Sequence, residues 1–76
     1  MSELTQLEMS RLEGKYHRAL VKKEVAHEIG ISLSTLDRRL EKAQDVPQYK
    51  KTKTGTLLFP LSAVALFLTD GLVRSV

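Results

Sequence analysis

The 76-residue chain contains no cysteine and no tryptophan, and only two phenylalanines, two tyrosines, four glycines and two prolines. Without cysteine there is no disulfide, no thiolate metal site and no cysteine nucleophile, and that usage fits a reducing compartment. Cytoplasmic residence is the corresponding expectation. With so few aromatics the core must be built mainly from aliphatic side chains. A chain this short buries only roughly 60% of its unfolded surface, so that core is marginal. Long hydrophobic runs are absent too. The longest apolar stretch, 57–68, is interrupted by Pro60 and Ser62 and falls well short of the roughly 20 residues that span a bilayer. The first residues lack a basic stretch leading into an apolar run, so no secretory signal is legible and no membrane partner is expected. Gly14, Gly30, Gly55 and Gly71 are isolated punctuation, not a phosphate-cradling loop. His17 and His27 have no H-E-x-x-H spacing, and Glu24 with Glu28 builds no cleft. No catalytic residue, metal or cofactor is expected, and the chain does not read as an enzyme.

What remains is an ordinary globular composition, 42% apolar and 28% charged, with a net charge of +3. That balance points to one small folded domain and not to a disordered tail. The charge is unevenly spread. Residues 1–14 hold Glu3, Glu8 and Glu13 against Arg11. Residues 15–60 hold ten Lys/Arg against Glu24, Glu28, Asp37, Glu41 and Asp45, and 61–76 hold only Asp70 and Arg74. A basic middle favours a polyanionic partner.

Apolar periodicity predicts four helices and a hairpin. Thr5 and Glu8 have capping-box spacing, with Ser2 as a competing cap, and Leu4, Leu7, Met9, Leu12 and Tyr16 give a narrow stripe expected to end at Gly14. This helix either packs on the domain or serves as a dimer-forming arm. Val21, Val25, Ala26 and Ile29 form one face of a second helix, stopped by Gly30. Ser32 is a good N-cap for a third helix striped by Leu33, Leu36, Leu40 and Ala43. Ala26, four residues before the turn glycine, lets the two helices approach closely, which is the usual sequence mark of a DNA-reading helix-turn-helix.

Val46-Pro47 stops the third helix. Strands are predicted over 48–52 and 56–59, joined by Lys53-Thr54-Gly55 in a type I turn with a bulge. Pro60 then opens a last helix expected to end at Thr69-Asp70-Gly71, leaving 71–76 as a flexible tail. Leu61, Val64, Ala65 and Leu68 face the core, but Leu66 and Phe67 add apolar surface on other sides. A helix apolar nearly all round must be covered on more than one side. The cover is the first helix or a second subunit, with the first helix slightly favoured.

The run over 20–40 resembles the excisionase-type, MerR-like winged helix-turn-helix domains of phages and mobile elements. The segment 53–64 looks like their wing running into the closing helix. The motifs that carry the resemblance are Lys23-Glu24-Val25-Ala26, Gly30-Ile31-Ser32, Ser34-Thr35-Leu36 and Phe59-Pro60-Leu61-Ser62-Ala63-Val64, and it spans roughly residues 18–69. Position 33, often arginine or another polar residue in such domains, is leucine here, and the acidic first helix lies outside their common core. The implied fold is mostly α with a small two-stranded β wing. It comprises an accessory helix over 1–16 and a winged helix-turn-helix over 17–70. The implied function is sequence-specific double-stranded DNA binding, as an excisionase-like recombination directionality factor or a small phage-type transcription regulator. A homodimer or a cooperative multimer on DNA is the accompanying assembly. The rival is a protein-interaction adaptor that uses the helix-turn-helix as scaffold and the Leu66/Phe67 face as working surface.

If the third helix enters a major groove, Ser34, Asp37, Arg38 and Glu41 share its outward face. Ser32 and Ser34 offer hydroxyls, and the backbone N–H groups of Ser34 and Thr35 are expected to be free for a phosphate. Arg38 is the candidate guanine reader, and Arg39 a phosphate clamp. Asp37 either accepts from a cytosine amino group or orients Arg38. Lys50, Lys51, Lys53 and Thr54 suit the sugar-phosphate backbone, although lysines on exposed strands also discourage edge pairing. Lys22 and Lys23, at the positive end of the second helix, complete the set.

Overall fold

The computed structural model describes residues 3–74, with side chains described through residue 70. Its elements are α1 (Glu3–Tyr16), α2 (Lys22–Ile29), α3 (Leu33–Lys42), β1 (Lys50–Lys51), β2 (Leu57–Leu58) and α4 (Leu61–Arg74). It is mostly helical, with one small two-stranded antiparallel sheet pairing Lys50 with Leu58 and Lys51 with Leu57. A helix pair joined by a tight turn and followed by a hairpin is compatible with a helix-turn-helix plus wing.

The α2–α3 turn forms as its residues dictate. Gly30 sits at φ 77, where a side chain would be strained, and its N–H bonds back to the His27 carbonyl. The Ser32 hydroxyl then accepts from the Thr35 N–H at 3.1 Å and caps α3. Val25, Ala26 and Leu36 are buried between the two helices and the remainder of the core. The expected leucine stripe of α3 is narrower than its spacing indicated. Leu36 is buried and Leu40 packs against the core, whereas Leu33 is 43% exposed and Ala43 is an exposed C-cap at φ 54.

The hairpin is shorter than predicted but turns as predicted. The Gly55 N–H donates to the Thr52 carbonyl at 3.0 Å with Gly55 at φ 90, and the Thr52 N–H donates to the Thr56 carbonyl at 2.8 Å. The hydroxyl of Thr52 also accepts from the Thr56 N–H and lies 3.0 Å from that of Thr54, so the threonines lock the tip. Phe59, fully buried, roots the hairpin: its ring lies 5.5 Å from that of Tyr49, and it pairs with Leu20 through two backbone hydrogen bonds. That bridge adds a third short segment to the sheet edge, and the sequence reading had no place for it.

Three expectations for the terminal helices are corrected. Thr5 is not a cap but an interior residue of α1, buried, with its hydroxyl 2.6 Å from that of Thr69. Gly14 does not end α1, which continues to Tyr16. Likewise α4 does not stop at Gly71 but continues to Arg74, so of the expected tail only 75–76 lie outside the described residues. The first helix does cover α4 within the same chain. The two run antiparallel, with Thr5 beside Thr69, and Leu12, Val64 and Ala65 buried in the common core. Of the expected stripe, Met9, Leu12 and Tyr16 pack on the core, joined by Thr5, whereas Leu4 and Leu7 do not. Leu4 and Leu7 stay 47% and 62% exposed, and Leu66 remains 54% exposed. Among the described residues no helix is long and apolar enough to cross a membrane.

Candidate nucleic-acid interface

The charged side chains divide into two populations. The first is engaged in holding helices together. Glu28, on α2, has only 4% of its side chain exposed and accepts from Arg11 at 3.0 Å, Lys15 at 2.8 Å and the Tyr16 hydroxyl at 2.6 Å. Burial alone would raise its pKa, but these three donors outweigh that and hold it at about 2. Glu28 in turn raises Lys15, and Arg11 is raised by Glu8 first and Glu28 second, while Tyr16 is raised by burial first and by Glu28 second. Glu24 accepts both nitrogens of the Arg18 fork and the Val21 N–H, and its pKa is lowered chiefly by Arg18. Neither carboxylate faces a cleft. Both clamp α2, Glu28 to α1 and Glu24 to the segment that precedes α2.

Two candidate DNA residues belong to this engaged population. Lys22 bonds Asp37 at 2.7 Å, with both side chains partly exposed. Asp37 is thus paired with Lys22 and makes no bond to Arg38 among the described residues, and Lys22 is not a free cation. Asp37 and Glu41 are like charges one turn apart, a mildly unfavourable pair unless a cation compensates. Lys22 is that cation. By neutralising Asp37 it also removes a negative charge from the outward face of α3.

The N-terminal turn of α3 needs a further correction. The Thr35 N–H is engaged by Ser32, whose own hydroxyl lies 2.9 Å from that of Thr35. Thr35 therefore offers no free N–H, and Ser32 is a cap before it is a ligand group. Ser34 is exposed, as expected.

The second population carries no ion pair among the described residues: Lys23, Arg38, Lys42, Lys50, Lys51 and Lys53, all exposed. Arg39, half-buried, makes one long bond to the Asp45 carbonyl at 3.4 Å. Thr54 is exposed at the hairpin tip beside Lys53. Apart from Lys23, these cations all lie between residues 38 and 53, against only Glu41 and Asp45. Lys42 was missed by the sequence reading. Its signal was the i, i+3, i+4, i+7 series Thr35, Arg38, Arg39, Lys42, a second polar stripe beside the one chosen. Among the described residues no cluster of His, Cys, Asp and Glu is arranged to hold a metal ion.

Comparison with known proteins does not assign this arrangement. No family model, curated protein or solved structure matches the chain. The functional reading therefore rests on residues and charge.

Proposed function

We propose that the chain is a sequence-specific double-stranded DNA-binding protein of the winged helix-turn-helix type. In this reading it works in the cytoplasm as an excisionase-like recombination directionality factor or a small phage-type transcription regulator. The observation that carries DNA binding is the segregation of charge. Arg11, Lys15, Arg18 and Lys22 are held by Glu8, Glu28, Glu24 and Asp37, while Lys23, Arg38, Lys42 and the hairpin lysines are exposed and carry no ion pair among the described residues. Exposed like charges with no internal partner cost stability through mutual repulsion, and a polyanion relieves it. In this reading α3 lies in the major groove, with Arg38 reading a guanine through its O6 and N7. Lys50, Lys51 and Lys53 neutralise backbone phosphates from the hairpin, and Lys23 does so from α2. Ser34 and the exposed Leu33 meet base edges from the first turn of α3. The choice between recombination factor and regulator rests on the resemblance alone.

Footprinting the purified chain on its own flanking genomic DNA tests this reading. A protected segment of defined sequence is expected, and uniform weak protection of all DNA would refute sequence specificity. The exposed Leu66 favours a second reading. With Val46, Pro47, Ala63 and Phe67 it lines a mainly apolar cavity of about 250 Å³, completed by Gln48 and Asp70 and suited to a protein partner. An adaptor of that kind binds no DNA at physiological salt.

A further inference from the structure

One cavity differs in kind from the others. Thr35, Arg38, Arg39, Lys42, Gln44 and Asp45 line a half-open groove of about 200 Å³ with no apolar side chain among them. The three other cavities described all include apolar residues such as Val46, Leu61 or Phe67. It is smaller than the roughly 300–1,000 Å³ of sites for drug-sized molecules, and three of its six side chains are cations.

Its walls are set by backbone. The stripe Thr35, Arg38, Arg39, Lys42 occupies one face of α3. Ala43 and Asp45 both adopt left-handed conformations, at φ 54 and 53, and turn the chain back along that face. The fold-back is fastened at Arg39: its carbonyl accepts from the Gln44 N–H at 3.0 Å, and its guanidinium donates to the Asp45 carbonyl. That one long bond leaves most of the five guanidinium N–H donors of Arg39 without a partner among the described residues. Lys42 has no ion pair among the described residues. Asp45 is the only anion in the lining, so the cavity is net cationic.

We propose that this cavity is a preformed oxyanion seat that takes one phosphodiester group of duplex DNA. Arg39 and Lys42 supply the charge, the Thr35 hydroxyl and the Gln44 amide supply further donors, and Arg38 completes the lining. This inference rests on the DNA-binding reading and refines it. The face of α3 that grips the backbone is the Thr35/Arg39/Lys42 edge, away from the Asp37 edge that Lys22 ties to α2. Phosphate contacts fix register and orientation, so the seat sets how Arg38 and the first turn of α3 meet the bases.

Two measurements on the full chain test it. The first is duplex binding against salt, for the wild type and for Lys42→Gln, an exposed substitution compatible with the fold. The slope of log affinity against log salt should flatten by about 0.9, with equal loss on any sequence. An unchanged slope in a protein that still binds DNA overturns the seat and leaves the DNA reading standing. The second is titration with inorganic phosphate, followed through the backbone amide resonances. Saturable shifts at Thr35, Lys42 and Gln44, lost in Lys42→Gln, support the seat; their absence overturns it. If the wild type binds no duplex, the DNA reading falls, and saturable phosphate shifts then identify free phosphate as the source of the oxyanion.

Discussion

Glu28 joins α2 to three side chains of α1, and Glu28→Gln tests whether α1 belongs to the fold. The substitution keeps the volume but replaces a carboxylate facing three donors by an amide. The carboxyl pKa falls from 4.5 to about 2 on folding, which corresponds to about 3 kcal/mol of stability at neutral pH. Arg11 and Lys15 are 45% and 49% exposed, so solvent screening reduces that to about 2 kcal/mol. The sign follows from a depressed pKa. The contribution is fully present above about pH 5, and it is lost as pH falls from the unfolded value towards 2. At neutral pH the variant should melt roughly 10 °C below the wild type, since 1 kcal/mol moves a domain of this size by about 4–8 °C. Circular dichroism melts at pH 7, 5, 4 and 3 measure both effects. The wild type should lose stability steeply below pH 5, and the variant should lose less over the same range. Equal melting temperatures at pH 7, or parallel acid losses in the two proteins, would refute the role given to Glu28.

Three further outcomes are expected. Arg38→Ala should weaken specific binding by roughly 1–3 kcal/mol and relax preference at one base position, read by competition with single-position operator variants; equal loss on random DNA would make Arg38 a phosphate contact. Replacing Lys50, Lys51 and Lys53 together by glutamine should flatten the salt slope by about two to three units, and an unchanged slope would take the hairpin off the DNA. Leu12→Ala, at a fully buried position against α4, should destabilise by about 2–5 kcal/mol in a urea melt; a loss under 1 kcal/mol would mean that α1 is not an integral part of the core.

The parts legible in the sequence were those governed by neighbours along the chain. The glycine turn and Ser32 cap between α2 and α3, the Gly55 turn of the hairpin and the start of α4 after Pro60 each need only residues within a few positions. What escaped was set by partners far away in sequence. Thr5 reads as a cap until Thr69, 64 residues on, accounts for its burial. Gly14 reads as a stop because the anchor that carries α1 past it is Tyr16 on Glu28. The Leu4/Leu7 stripe misleads because the residues that face α4 start from a threonine, which hydropathy does not flag. At the candidate interface the exposed cations Arg38, Lys50, Lys51 and Lys53 were legible from charge. The Lys22–Asp37 pair and the bond of the Gln44 N–H to the Arg39 carbonyl were not, because both depend on how α2 and the post-α3 loop fold back on α3.

The central claim is that the cations of α2, α3 and the hairpin that carry no ion pair among the described residues meet a polyanion. Fluorescence anisotropy of a labelled duplex with the full chain, from about 50 to 200 mM salt, tests it most directly. Five phosphate contacts, from Lys23, Lys50, Lys51, Lys53 and the Arg39/Lys42 seat, at about 0.9 each give an expected slope near −4.5 on a log–log plot, steep enough to lower affinity about five-hundredfold over that range. Absence of binding at low salt, or binding that does not change with salt, would contradict the account.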